Sequence, residues 1–204
     1  MSVRLVRPVR VLVAVGIVAL LVSCSGGSGT ATVGAGDSAR LASVTVGSDT
    51  VLGPADVTAV NVIGLDLVTL AAPLRTWWDT FADPDVAESA WLARAPRLLA
   101  DMGVTVAHIE RQLGPGRARA VRDTFTPYLQ QWRAILDALE AMRAGVASGD
   151  VGAQQRATDA YNDALGVVRR LDRQRVARVV AVYGRDGAKR ALAAQGLDPE
   201  RFGL

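Results

Sequence analysis

From Pro54 onward, apolar residues recur at alternating intervals of three and four, the spacing that lines one face of an α-helix. The first stripe runs Val60, Ile63, Leu67, Leu70, Leu74, Trp77 and Phe81. The second is Leu92, Ala95, Leu99, Met102, Val106, Ile109 and Leu113, and the third is Val121, Phe125, Tyr128, Trp132, Ile135, Leu139, Met142 and Val146. A fourth is looser: Tyr161, Leu165, Val168, then Val176, Val179 and Tyr183. Polar and glycine-rich breaks fall between the stripes, at Ala82-Asp83-Pro84-Asp85, Gly114-Pro115-Gly116 and Ser148-Gly149-Asp150. Four long amphipathic segments with short connections predict an all-α fold, an up-down-up-down four-helix bundle over residues 54–204. A short C-terminal helix, capped by Asp186 and stopped by Gly196, is expected to cover one end through Leu192, Leu197 and Phe202. Pro73, Pro96 and Pro127 fall inside the first three helices, where each removes a hydrogen bond and predicts a kink or short break. Such kinks either open a pocket or are absorbed by packing.

The pattern before Pro54 is different. Arg4, Arg7 and Arg10 precede an unbroken apolar run from Val11 to Val22, after which come Ser23 and Cys24. A membrane-spanning helix needs about 20 apolar residues, so this shorter run fits the hydrophobic part of a signal peptide. Leu21-Val22-Ser23-Cys24 resembles the lipobox of bacterial lipoproteins. The resemblance covers the first two dozen residues and implies cleavage before Cys24, acylation of its sulfur and attachment to the outer face of the cell membrane. Acyl chains contribute about 0.8 kcal/mol per buried CH₂, so two or three of them hold a protein stably. An ordinary secretory signal or an uncleaved anchor is the alternative. Residues 1–23 are therefore expected to be a signal peptide. Residues 24–53, with their Gly, Ser, Thr and Ala, are expected to be the acylated cysteine and a flexible tether, of roughly 30 Å r.m.s. span. Residues 43–51 could pair briefly as strands, but nothing else in the chain offers a sheet to join.

Composition sharpens this picture. Half the residues are apolar and 8 of 204 are proline, which excludes a disordered or collagen-like chain. One Cys excludes a disulfide framework, and one Cys with one His excludes a Cys/His zinc site. The net charge of +3 invites a nucleic-acid reading. That excess equals the three arginines of the signal segment, so the expected mature chain is neutral and no nucleic-acid partner is expected. Antiparallel packing would nevertheless separate the charge along the bundle. Arg111, Arg117, Arg119, Arg122, the arginines from Arg169 to Arg190 and Lys189 gather at the end where the tether enters, against Asp172 and Asp186. Asp79, Asp83, Asp85, Glu88, Asp150, Asp159 and Asp163 gather at the other, with Arg156 the main offset. The basic end is a candidate contact for anionic lipid, or else a solvated helix face.

Candidate chemistry is sparse. His108 stands outside the apolar stripe of its helix and reads as a surface histidine. Ser-His-Asp, Cys-His and Glu-x-x-His schemes lack their parts, so neither an enzyme nor a cofactor is expected. Asp172 falls on the apolar face of the fourth helix, where a carboxylate must be paired, neutralised or placed at an open mouth. It reads as a buried polar site, either a structural pair with an arginine such as Arg175 or a ligand contact. Trp77, Trp78, Asp79, Phe81 and Trp91 cluster at the acidic end. They cap the core there or form a recognition surface for an envelope protein, since tryptophan beside acidic groups is common at binding hot spots. The expected function is a lipid-anchored interaction module of the envelope, with a carrier of a small apolar or lipid-like ligand as the alternative.

Overall fold

The computed structural model describes residues 35–194, 199–202 and 204. The expected signal peptide, Cys24 and Leu197 lie outside the described residues, as does the side chain of Phe202. The described chain is all-helical, with no strand. Its helices are α1 (Ala35–Val46), α2 (Pro54–Thr69), α3 (Ala71–Ala82), α4 (Glu88–Gln112), α5 (Arg119–Ser148) and α6 (Val151–Ala194), followed by a 3₁₀ turn at Pro199–Phe202.

The third stripe survives entirely: each of its eight residues is buried on α5. α6 returns along α5 as an antiparallel partner. Gly149, in the left-handed conformation, ends α5, and the Asp150 carboxylate accepts from the Ala153 N–H to start α6. Tyr128 meets Asp172, and Gly145 O accepts from Gln154, at positions equally far from that turn. This fixed register puts Ala118, at the start of α5, level with Val182. Beyond Tyr183 the helix overhangs α5, and it breaks at Gly184. There φ 67° and ψ 171° lie in a region essentially reserved for glycine. The short C-terminal helix expected from Asp186 is thus the last segment of α6, set off two residues earlier.

The first stripe divides into α2 and α3. Pro73 has no N–H to offer the Thr69 carbonyl, so the ladder is interrupted at Leu70, one turn upstream of the proline. Pro96 and Pro127, by contrast, lie within helices assigned continuously. The stretch Pro54–Ala82 is long and apolar enough to cross a membrane by length and composition. Here it is a core element, with Val60, Ile63, Leu70, Leu74, Trp77, Trp78 and Phe81 turned inward. Full burial of each large side chain contributes about 1.5–3 kcal/mol.

The expected tether requires correction. Residues 35–46 form a packed helix. Leu41, Ala42 and Val46 are buried, and Leu52 after it is buried too. The hydroxyls of Ser43 and Thr45 donate to the carbonyls of Ala39 and Leu41, one turn back. Ser43 Oγ also accepts from Leu52 N–H at 2.9 Å, which folds the following loop against the helix. Burial against α6 and α2 outweighs the strand preference of Val44-Thr45-Val46. Leu41 joins Val179 and Ala188 in a small second core around the α6 overhang.

Candidate functional site

The aromatic group at the acidic end is built by the α3–α4 hairpin. Trp91 stacks edge-to-face on Trp77 and tilted on Phe81, both at 5.0 Å between centroids. Trp78 turns the other way, toward Tyr161 of α6 at 4.9 Å. The expectation of a tryptophan recognition surface is therefore overturned. Trp77, Trp78, Phe81 and Trp91 are at most 5% exposed, because α3 is flanked on both sides. Asp79 alone of the five faces solvent, 3.5 Å from Arg75. The buried indole N–H groups of Trp77, Trp91 and Trp132 have no hydrogen-bond partner. Burial pushes the Tyr161 phenol up to about 12, against the opposing influence of Trp78 and Arg169.

Asp172 lies on α6 opposite Tyr128 of α5. It is not fully buried: its side chain keeps a quarter of its exposure. Tyr128 donates its hydroxyl to Asp172 Oδ1 at 2.8 Å, and Arg175 reaches the same oxygen at 3.4 Å. The Arg175 guanidinium is buried and sits over the Tyr128 and Phe125 rings at 5.6 and 6.0 Å. Such placement over π faces favours a cation. Burial pushes the Tyr128 phenol far above its ordinary value. The arrangement is a closed ionic pair with a phenol holding its free side. Tyr128, read from sequence as ordinary core, is the partner that the sequence pattern left out.

One turn further along α6, Arg178 donates to Thr45 O at 3.3 Å, and Thr124 of α5 donates to Val46 O at 3.1 Å. These bonds hold the C-terminal carbonyls of α1. The α4–α5 connection is fastened in the same way. Arg117 bonds Gln112 O and Ala55 O, Arg122 bonds Pro115 O and Arg117 O, and Asp56 accepts from Ala118 N–H. Arg117, Arg122 and Arg178 thus spend these bonds on neutral carbonyls and keep their charge. Arg119 pairs with Asp123 at 3.1 Å.

His108 is partnered as well. Its Nδ1 lies 2.8 Å from Asp66 Oδ2 of α2, and its Nε2 lies 3.3 Å from Gln112 Nε2. Burial raises the Asp66 carboxyl above the usual carboxylate range, opposed by His108 and Arg111. No pattern in either helix announces this pair. Among the described residues, no group of three His, Cys, Asp or Glu comes together to hold a metal ion. No protein-family model, curated protein or solved structure matches this chain.

Proposed function

We propose that this is a lipid-anchored, extracytoplasmic helical protein acting as an interaction module of the bacterial envelope, held at the cell membrane by acyl chains on Cys24. The observation that carries the reading is the placement of the chain's single cysteine. It stands directly behind the apolar run Val11–Val22, within Leu21-Val22-Ser23-Cys24, and eleven positions before Ala35, the first described helical residue. In this reading residues 1–23 are removed and residues 25–34 join the anchor to a domain that begins at Ala35. The α2–α3 pair, α4, α5 and α6 then run up-down-up-down, with α1 added across the basic end. That end faces anionic lipid, and the acidic end, with exposed Asp79, Asp85 and Glu88, is offered to an envelope protein. No catalytic role is assigned.

Metabolic labelling with an alkyne fatty acid tests the anchor. The native protein takes up label and Cys24→Ala takes up none. Label retained in that variant would contradict the assignment.

A second reading, a carrier for a small apolar or lipid-like ligand, is favoured by the unpartnered indole donors of Trp77 and Trp91. Buried donors ordinarily find an acceptor, and a bound molecule carrying an oxygen would supply one. Native mass spectrometry of protein purified from membranes distinguishes the two readings: a carrier shows a noncovalent mass increment that collisional activation removes.

A further inference from the structure

The basic end of the molecule carries more than charge. Register along α5 and α6 sets Val182 level with Ala118. Asp56 fastens the first turn of α2 to Ala118, and the Arg178 guanidinium lies against Gly47 of the α1–α2 loop. The loop, the α4–α5 connection and the α6 overhang therefore share one end. Val51, at the tip of that loop, is 73% exposed, and Val182 is 50% exposed. Val51 is the most exposed large apolar side chain among the described residues. The guanidiniums of Arg117, Arg122 and Arg178 at this end are held by carbonyl oxygens, so little side-chain freedom remains to be lost when they meet phosphate. The acidic groups on the elements of this end are Asp37, Asp49, Asp56, Glu110, Asp123 and Asp186; Asp56 is committed to the Ala118 N–H, Asp123 to Arg119 and Glu110 to Arg133.

We propose that this end is a docking face for an anionic lipid bilayer, with Val51 entering the headgroup layer and Arg117 and Arg122 taking lipid phosphates. The proposal rests on the reading of Cys24 as the anchor, which supplies proximity; the face itself supplies orientation. Two observations select lipid as the occupant. The first is the combination of a projecting apolar side chain with uncompensated arginines, matched to a surface that is apolar beneath and negative above. The second is where the chain enters. Leu41 of α1 packs with Ala188 of the α6 overhang, and residues 25–34 reach at most about 40 Å even when fully extended. This end therefore stays near the membrane, and the acidic end is repelled from the same surface.

The test uses the acylated protein purified from membranes and reconstituted with vesicles of phosphatidylcholine alone or mixed with phosphatidylglycerol. Flotation reports the anchor, and hydrogen–deuterium exchange reports the face. The protein is expected to float with both vesicles. Amides at 47–53 and 117–122 exchange severalfold more slowly with phosphatidylglycerol only, and high salt removes the effect. Val51→Asp, a change at an exposed position, floats equally and loses the protection. Flotation with unchanged exchange overturns the docking face and leaves the anchor standing. Protection at the α3–α4 turn instead of the basic end also overturns it. Flotation with phosphatidylglycerol vesicles alone supports the face and removes the anchor, and no flotation with either removes both.

Discussion

Asp172 shows how far single residues can be read from a pattern. Its position on an apolar helix face is visible in the sequence, and so is the need for a partner; Arg175, one turn away, supplies one. The Tyr128 hydroxyl comes from a residue 44 positions distant, and only the register of α5 against α6 delivers it. Asp172→Asn keeps an oxygen for the Tyr128 hydroxyl but takes the counter-charge from the buried Arg175 guanidinium, so it should destabilise, though less than Asp172→Ala. Asp172→Ala leaves a buried phenol and a buried guanidinium without their acceptor, and should cost about 1–3 kcal/mol in urea unfolding. Equal losses in the two variants would contradict the arrangement.

Asp66 gives a prediction in pH. Burial raises its carboxyl, so the folded protein holds that proton to a higher pH than the unfolded chain does. The folded state is favoured most below the unfolded value, about 4, and that advantage is lost as pH rises through the raised folded value. Asp66→Asn removes the dependence. Relative to the native protein, the variant should therefore gain stability between pH 4 and pH 7, measured by urea unfolding at each. A difference that stays flat or moves the other way would contradict the burial of this carboxyl.

At the scale of elements, legibility follows the strength of the local period. α5 offers eight apolar residues in a regular stripe, and all eight are buried. The break at Leu70 is anticipated by Pro73, and the break before the last segment of α6 lies two residues from where Asp186 suggests it. α1 is not legible. It has 12 residues, Ser and Thr whose hydroxyls compete for backbone bonds, and neighbours such as Val44 that favour strands. Its helix is chosen by tertiary burial, chiefly of Leu41, Ala42 and Val46. Ala42→Glu should consequently undock α1 by burying an unpaired charge. Hydrogen exchange should then show protection lost at 37–46 and retained along α5. Protection retained at 37–46 would mean that α1 is held by something other than this packing.

For the molecule as a whole, the sequence pattern misplaces the aromatics. Trp78 and Trp91 stand at the edges of their stripes, yet α3 is covered on one side by α4 and on the other by Tyr161 of α6. An edge position is exposed only when a single neighbour packs against the helix. With Trp132 also buried, all four tryptophans lie inside. The native protein should therefore show blue-shifted tryptophan emission that acrylamide barely quenches; strong quenching would reopen the surface reading. Burying the aromatics leaves charge as the principal feature of both ends. In the proposed reading, the position of the anchor decides which end meets lipid and which meets a partner. The most direct measurement is the intact mass of the protein extracted from the membranes of its native host. A mass equal to residues 24–204 plus two or three acyl groups, with the increment on the N-terminal peptide, is the predicted result. An unmodified Cys24, or a chain retaining residues 1–23, would contradict the account.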